Sequence, residues 1–483
     1  GVSGTGTRVS GLVGFNQAGA LNQSYATGDV SGLREVGGLI GWNRSIVSQS
    51  YATGQVSGTA GQTGAFVGRN TGTITNNYWN TETSGQANAV GDGSDDGTTG
   101  LTTAQMLDAA NFTGFDFAGT WANADNQTPY LRALAGNRVF NKNDLPDGTI
   151  DATNRPALYT VIQNVEQLQA VRDNLSANYL LSNHIDASAT ASWNGGAGFD
   201  PLGVSNNSFS GRLDGMGYIV DGLTIQRAGQ LGVGLFGYTT ADSQIRNLGL
   251  SNVNIQGQSF VGAMVGKSLG LLDGVFATGR VGGDFVVGGL AGSSQGNITE
   301  SYAATDIEAF SIAGGLIGSQ GPGIFDSASQ TRGTSSVDNS YATGAIKVSV
   351  DPASGSAGGL VGMLDGAISN SYSTVIINDT AAGLVGSATQ GVFTNVYYAN
   401  TDRDGNALDT VGLDFGDRSW AEMTQLDAFS TWGSDIDAEG GTGAIWRIYE
   451  GYSTPLLRRF LTALEVSGED ANVTYNGTEQ SGS

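Results

Sequence analysis

The chain has no cysteine and a single histidine, His184, in 483 residues. That composition removes disulfide staples, a Cys/His zinc set and a Ser-His-Asp or Cys-His nucleophilic centre from consideration. A chain of this length buries enough surface to hold its fold without staples, so the missing cysteine does not decide a compartment. Lysine occurs three times, as Lys142, Lys267 and Lys347; 21 basic residues in all stand against 44 acidic ones, a formal charge of −23. Such a surface repels nucleic acid and anionic lipid. Proline is scarce at 7 residues and glycine has no period of three, which excludes collagen. No apolar run approaches the roughly 20 residues needed to cross a bilayer, so no membrane insertion of this segment is expected. The opening GVSGTGTRVSG has no signal-peptide apolar segment. The phosphate-loop pattern G-x-x-x-x-G-K-[ST] is missing too.

What is present is glycine, 77 residues, about twice the usual share of roughly 7%, and a sentence that repeats. NQSYATGDVSG at 22–32 returns as SQSYATGQVSG at 48–58 and as NSYATGAI at 339–346. Boxes of the form Gly-hydrophobic-hydrophobic-Gly place Leu12, Leu39 and Phe66 27 residues apart; Leu235, Met264, Leu290, Leu316, Leu360 and Leu384 follow with gaps of 29, 26, 26, 44 and 24. After each box comes a polar turn, then an aromatic: Tyr25, Tyr51, Tyr78, Phe276, Tyr302, Tyr341, Tyr372, Tyr397. Periods of 20–50 residues signal a solenoid. The segments between glycines are about 4–7 residues long and rich in Val, Ile, Tyr and Thr, which is strand material. A period near 26 residues built from short strands fits one coil of a parallel β-helix, each coil stacked about 4.8 Å above the last. Residues one period apart then face copies of themselves. Leu290 and Leu316 are expected to point inward from adjacent coils.

VGGLIG, AGGLVG and NSYATG resemble the GLUG motif of large bacterial surface proteins, including filamentous-haemagglutinin-like adhesins and some IgA-protease-type proteins; the resemblance covers roughly 9–80 and 204–400. It implies an all-β, right-handed parallel β-helix outside the cell. The last stretch, ANVTYNGTEQSGS at 471–483, resembles the start of the MBG repeat domains that follow in such adhesins.

The repeat stops twice in a similar way, at 101–134 and at 420–461. Both stretches hold a short helix-like run, then Trp121 or Trp446, then Pro129 to Arg132 or Pro455 to Arg458. A solenoid end exposes an apolar cross-section and an open edge, so both stretches are expected to be C-terminal caps, each tryptophan covering the last coil. VEQLQAVRDNL, 165–175, spaces Val165, Leu168, Val171 and Leu175 as an amphipathic N-terminal cap helix. This divides the chain into a first module at 1–146, a second at 147–463 and the start of an MBG-like domain at 464–483. Val2 to Thr5 match Val56 to Thr59 inside a repeat, so the chain is expected to be a piece of a longer protein.

Candidate sites are few. His184 reads as structural. Asp284, Glu300, Asp306 and Glu308 fall on neighbouring coils and are the carboxylates a polysaccharide-processing β-helix enzyme would need to converge, but they do not recur in register. NTDRDGNALD sets Asp402, Asp404 and Asn406 at alternate positions with Asp409 beyond; this half-loop is a candidate calcium site, against the plain reading of a solvated Asp/Gly turn, as for GDGSDDG at 91–97. The aromatic column is the main feature. In SYATGDV strict alternation puts Ala26, Gly28 and Val30 on one face and Tyr25, Thr27 and Asp29 on the other, which exposes the tyrosine unless the chain bends after the serine. The column is expected to be a buried or half-buried ladder. The alternative is a glycan-binding strip, with Tyr25, Tyr51, Tyr302, Tyr341 and Tyr372 as contacts. The 44-residue gap holds some extra residues, GPGIFDSASQTRGTSSVD at 321–338, expected to leave the coil as a surface loop with Phe325 and Arg332 as contacts. Together these point to a non-enzymatic extracellular segment of a bacterial adhesin, secreted or at the cell surface, with no cofactor. Its partners would be host or neighbouring-cell glycans or proteins. A filament or biofilm-matrix protein that binds copies of itself is the alternative.

Overall fold

A Ser-Tyr pair preceded by Asn, Gln or Glu sets one corner of several coils. The residue before the serine takes a left-handed backbone: φ is 51° at Gln23, 52° at Gln49, 49° at Asn339 and 43° at Asn370. Asparagine tolerates that region better than most side chains, so the bend falls one residue before the serine. The serine then faces the coil interior and ties it to its neighbour. Ser301 Oγ accepts the Val275 N–H at 3.1 Å, Ser340 Oγ the Ser301 N–H at 3.2 Å, and Ser371 Oγ the Ser340 N–H at 3.0 Å. Each buried amide left open at the corner finds its acceptor one coil away.

The computed structural model describes residues 1–123, 126–321, 335–349, 356–378, 382–408, 416–439 and 443–461. Its strands stack as a parallel β-helix. One coil of the second module comprises Val265–Ser268, Leu271–Asp273, Phe276–Gly283 and Val286–Gly288. Each pairs in parallel with its counterpart in the next coil: Val265 with Ala291, Leu272 with Ile298, Phe276 with Tyr302, Val287 with Ala313. In the first module Tyr25, Tyr51 and Tyr78 align, as do Ile40, Val67 and Val90. Leu290 and Leu316 are fully buried, and the Leu290 amide donates to the Leu316 carbonyl at 2.9 Å, so the register read from the boxes holds there. The first glycine of the box is required by the coil above. A β-carbon on Gly289 would stand 2.2 Å from the Gly315 oxygen, and one on Gly315 would stand 2.0 Å from the Gly359 oxygen.

The second module starts with an antiparallel strand rather than a coil. Arg138–Phe140, ahead of residue 147, pairs antiparallel with Leu158–Ile162, which then starts the parallel run with Asn178–Leu181. The helix that follows is short, Val165–Gln169, with a 3-10 turn at Ala170–Asp173. Asn164 caps it by accepting the Gln167 N–H at 2.9 Å. Val165, Leu168, Val171 and Leu175 all join the second module's coil core. The two modules are tied together: Arg155 grips the Asp29 carboxylate through two contacts of 2.5 Å, and within the first module Tyr25 donates to Asn137 at 2.7 Å. Asp214, fully buried, accepts from Asn141, Asn143 and Arg246 at 2.8, 2.9 and 2.9 Å, which seats the connecting segment on the second module. The loop contacts proposed at Phe325 and Arg332, and the MBG-like stretch, lie outside the described residues.

Candidate functional site: the aromatic ladder and its strap

After the corner the strand alternates strictly. Ala26 and Ala52 point into the first coil core, and Ala277, Ala303 and Ala342 into the second. The aromatics one residue earlier therefore point out. Yet Tyr51 and Tyr372 are fully buried and Tyr341 is nearly so. Each module thus has two cores, one inside the coil and one outside it. The outer core of the first module joins Tyr51 and Tyr78 to Met106, Phe112, Phe115 and Trp121. That of the second joins Tyr341, Tyr372 and Tyr397 to Met423, Phe429, Trp432 and Trp446. The outward rings stack on one another: Phe276 on Tyr302, Tyr302 on Tyr341 and Tyr341 on Tyr372 at 5.0, 4.8 and 5.0 Å, within 7° of parallel. Over them lies the segment expected to cap the coil end. It runs back along the flank instead, so the cap expectation is corrected: Trp121 sits against Tyr25 and Tyr51 at 6.1 and 5.9 Å, and Trp446 against Tyr341 and Tyr372 at 5.9 and 5.8 Å. We refer to these segments as straps.

The two straps share their tyrosine-to-proline and tryptophan-to-leucine contacts, and in each the arginine after the leucine binds a strap carbonyl. Tyr51 donates to the Pro129 carbonyl at 2.5 Å, and Tyr372 to the Pro455 carbonyl at 2.6 Å. Trp121 pairs antiparallel with Leu131, Trp446 with Leu457. Arg132 donates to the Trp121 carbonyl and Arg458 to the Ala444 carbonyl, at 2.8 and 2.9 Å. Proline's carbonyl is free to accept, because the residue before it is held extended and the ring blocks a helix. Burial pushes the phenols of Tyr25 and Tyr302 up to about 12, and those of Tyr51 and Tyr341 well above the ordinary value. All remain neutral hydrogen-bond donors at physiological pH.

This arrangement corrects the glycan-strip reading for Tyr51, Tyr341 and Tyr372, whose rings the strap covers. Tyr25 and Tyr302 are half-buried at the ladder's lower rungs. The signal in the sequence was the strap's own aromatic density beside the repeated Trp and Pro-Leu-Arg, which marks a surface that must itself be buried.

The other candidates are placed as follows. Asp402 Oδ1 accepts the amides of Asp404 and Asn406 at 2.9 and 2.8 Å, and Oδ2 accepts Asn406 Nδ2 at 2.8 Å. Asn406 and the turn's amides hold its carboxyl below the usual range. The carboxylate is thus satisfied by its own turn. Asp409 lies outside the described residues, and among the described residues no group of three or more His, Asp or Glu is placed to hold a metal. Asp306 and Glu308 face out on one strand, in register with Arg280 and with Lys347 respectively, and line a groove of about 400 Å³. Lys347 stands 3.6 Å from Glu308, whereas Glu300 is bound by Arg459 at 3.2 Å beside the ladder. His184 accepts the Ile219 amide through Nδ1 at 3.1 Å and meets Tyr218 edge-on.

Comparison with known proteins yields partial relatives. No protein-family model matches the chain. A halomucin of Haloquadratum walsbyi is 41% identical over 134 residues, which are 26% of this chain and 2% of that protein. A protein of Evansella cellulosilytica, described as a Gly-rich membrane protein, is 33% identical over 119 residues, 24% of this chain and 14% of its own length. The chain therefore spans a small fraction of the curated relatives it matches. Among solved structures, a Bacteroides ovatus protein described as an immunoglobulin A1 protease has a TM-score of 0.44 and 19% identity, covering 62% of this chain and 92% of that one. No helix among the described residues is long and apolar enough to cross a membrane.

Proposed function

We propose that the chain is a β-solenoid stalk segment of a large extracellular surface protein that takes part in attachment to glycans or proteins. The observation that carries this reading is the outer core: each ladder is sealed along the flank by its own strap, which stiffens a stack that parallel pairing alone holds coil to coil. The GLUG-like boxes point the same way, as do the relatives, a halomucin and a protein described as a Gly-rich membrane protein. Asp306 and Glu308 share one groove with Arg280 and Lys347, while Glu300 is bound by Arg459 beside the ladder, which lends no support to a convergence of all four acids. Antibodies raised against the chain should label intact, unpermeabilised cells of the organism that makes the parent protein. Beads coated with the chain should attach to a glycan or protein surface, and soluble chain should compete. Labelling seen only after permeabilisation would sink the surface assignment, and beads that never attach would sink the role in attachment.

A further inference from the structure

The strap covers the ladder unevenly. Trp446, Phe429 and Trp432 seal Tyr341, Tyr372 and Tyr397. The two lowest rings, Phe276 and Tyr302, meet the edge of Phe460 at 5.2 and 5.1 Å. Below Phe276 the column reaches Gly249, where a β-carbon would stand 2.3 Å from the Phe276 ring. A cavity of about 620 Å³ opens at this foot, between the ladder, the end of the strap, the turn carrying His184 and Asn126 of the connecting segment. That volume falls in the range of small-molecule sites, roughly 300–1,000 Å³, and its position between modules is where such sites tend to form.

Its lining combines an aromatic wall with polar groups not consumed by the fold. The Ile219 amide occupies His184 Nδ1, so the neutral imidazole carries its proton on Nε2 as a donor. The hydroxyls of Tyr25, Tyr51, Tyr78, Tyr372 and Tyr397 all have partners, whereas those of Tyr302 and Tyr341 have none among the described residues, and of these two only Tyr302 lines the cavity. Arg459 is fixed by Asp273, Glu300 and Asn247 at 2.8, 3.2 and 2.7 Å. Two carboxylates against one guanidinium leave the rim net negative, on a chain already at −23, which disfavours anions. A purely apolar guest would leave the Tyr302 and His184 donors without a partner.

We infer that this cavity binds a neutral sugar ring, its C–H groups against the edges of Phe276 and Tyr302 and against Phe460 and its hydroxyls on Tyr302, His184 and Asn126. The inference deepens the attachment reading and rests on it for context. The test is saturation-transfer NMR on the full chain with methyl glucoside, methyl galactoside, N-acetylglucosamine and their β-linked disaccharides, and glucuronate as the charged counterpart. At least one neutral sugar should bind, and Tyr302→Phe and His184→Ala should each weaken it fivefold or more. Arg280→Ala, in the separate groove, should change nothing. Should His184→Ala disturb folding, Tyr302→Phe decides, since it keeps the stacked ring. The cavity proposal is overturned if no neutral sugar binds, if glucuronate binds more tightly, or if both cavity variants bind as the parent does. Sugar binding that is lost on Arg280→Ala also overturns it while leaving attachment standing. Beads that never attach would remove the attachment reading and leave cavity binding untouched.

Discussion

Replacing Trp446 by alanine should free the strap from a coil that stays folded. The indole is fully buried, 4.8 Å from Trp432 and 5.8 to 5.9 Å from Tyr372 and Tyr341. Truncating a buried tryptophan costs about 3–5 kcal/mol. At about 1.4 kcal/mol per power of ten, the detached strap should become roughly a hundred to several thousand times more populated. The coil core, in contrast, does not include Trp446. Native-state hydrogen exchange separates the two. The Arg458 amide, which donates to Ile445 at 2.9 Å inside the strap, should lose protection by that factor. The Leu290 amide, which donates to Leu316, should keep its own. Equal loss at both amides would show that strap and coil unfold as one, and the reasoning from two separate cores would fail. Unchanged protection at Arg458 would mean that the indole is not what holds the strap.

Other outcomes follow from the same contacts. Leu290→Asp places an unpaired charge in the fully buried coil interior and should lower the stability of the second module by several kcal/mol; a melt like the parent's would contradict the register. Gly274 has φ of +60° and the Arg459 guanidinium lies on it, with a β-carbon falling 2.1 Å from its central carbon; Gly274→Ala should displace Arg459, seen as faster exchange of the Leu461 amide, and protection equal to the parent's would count against the seat. The Arg155 guanidinium holds the Asp29 carboxyl below the usual carboxylate range. Its contribution is present above the unfolded value of about 3.9 and is lost as pH falls through the lower folded value. The Gln55 amide, bound to Asp29 Oδ1 at 3.1 Å, should therefore loosen in that acid window, while in Asp29→Asn it should show no such step.

The coil was legible because each element of it is local and repeated. Leu290 and Leu316 share a box and a spacing, so their stacking could be read by counting, and the serine corner lies within one tetrapeptide. The alternation that turns Tyr51 outward was equally visible. Its burial was expected too, but not what buries it, because that depends on Pro129, 78 residues on, folding back along the flank, a long-range contact that periodicity does not carry. The same holds for the foot of the ladder, where His184, Tyr302 and Arg459 come from an early strand, a middle coil and the strap. No single window of the sequence contains them. At Asp402 the contacts are those of the Asp/Gly turn that the sequence also offered: backbone amides two and four residues on reach the carboxylate.

The central claim is that the tyrosine ladder faces away from the coil and is nevertheless sealed by the strap. Nitration of the folded chain with tetranitromethane, mapped by peptide mass spectrometry, tests it most directly. Tyr452, 92% exposed, should be modified readily, while Tyr51 and Tyr372, at 0% exposure, should remain unmodified until the chain is unfolded. Modification of Tyr51 and Tyr372 in the folded chain at the rate of Tyr452 would contradict the account.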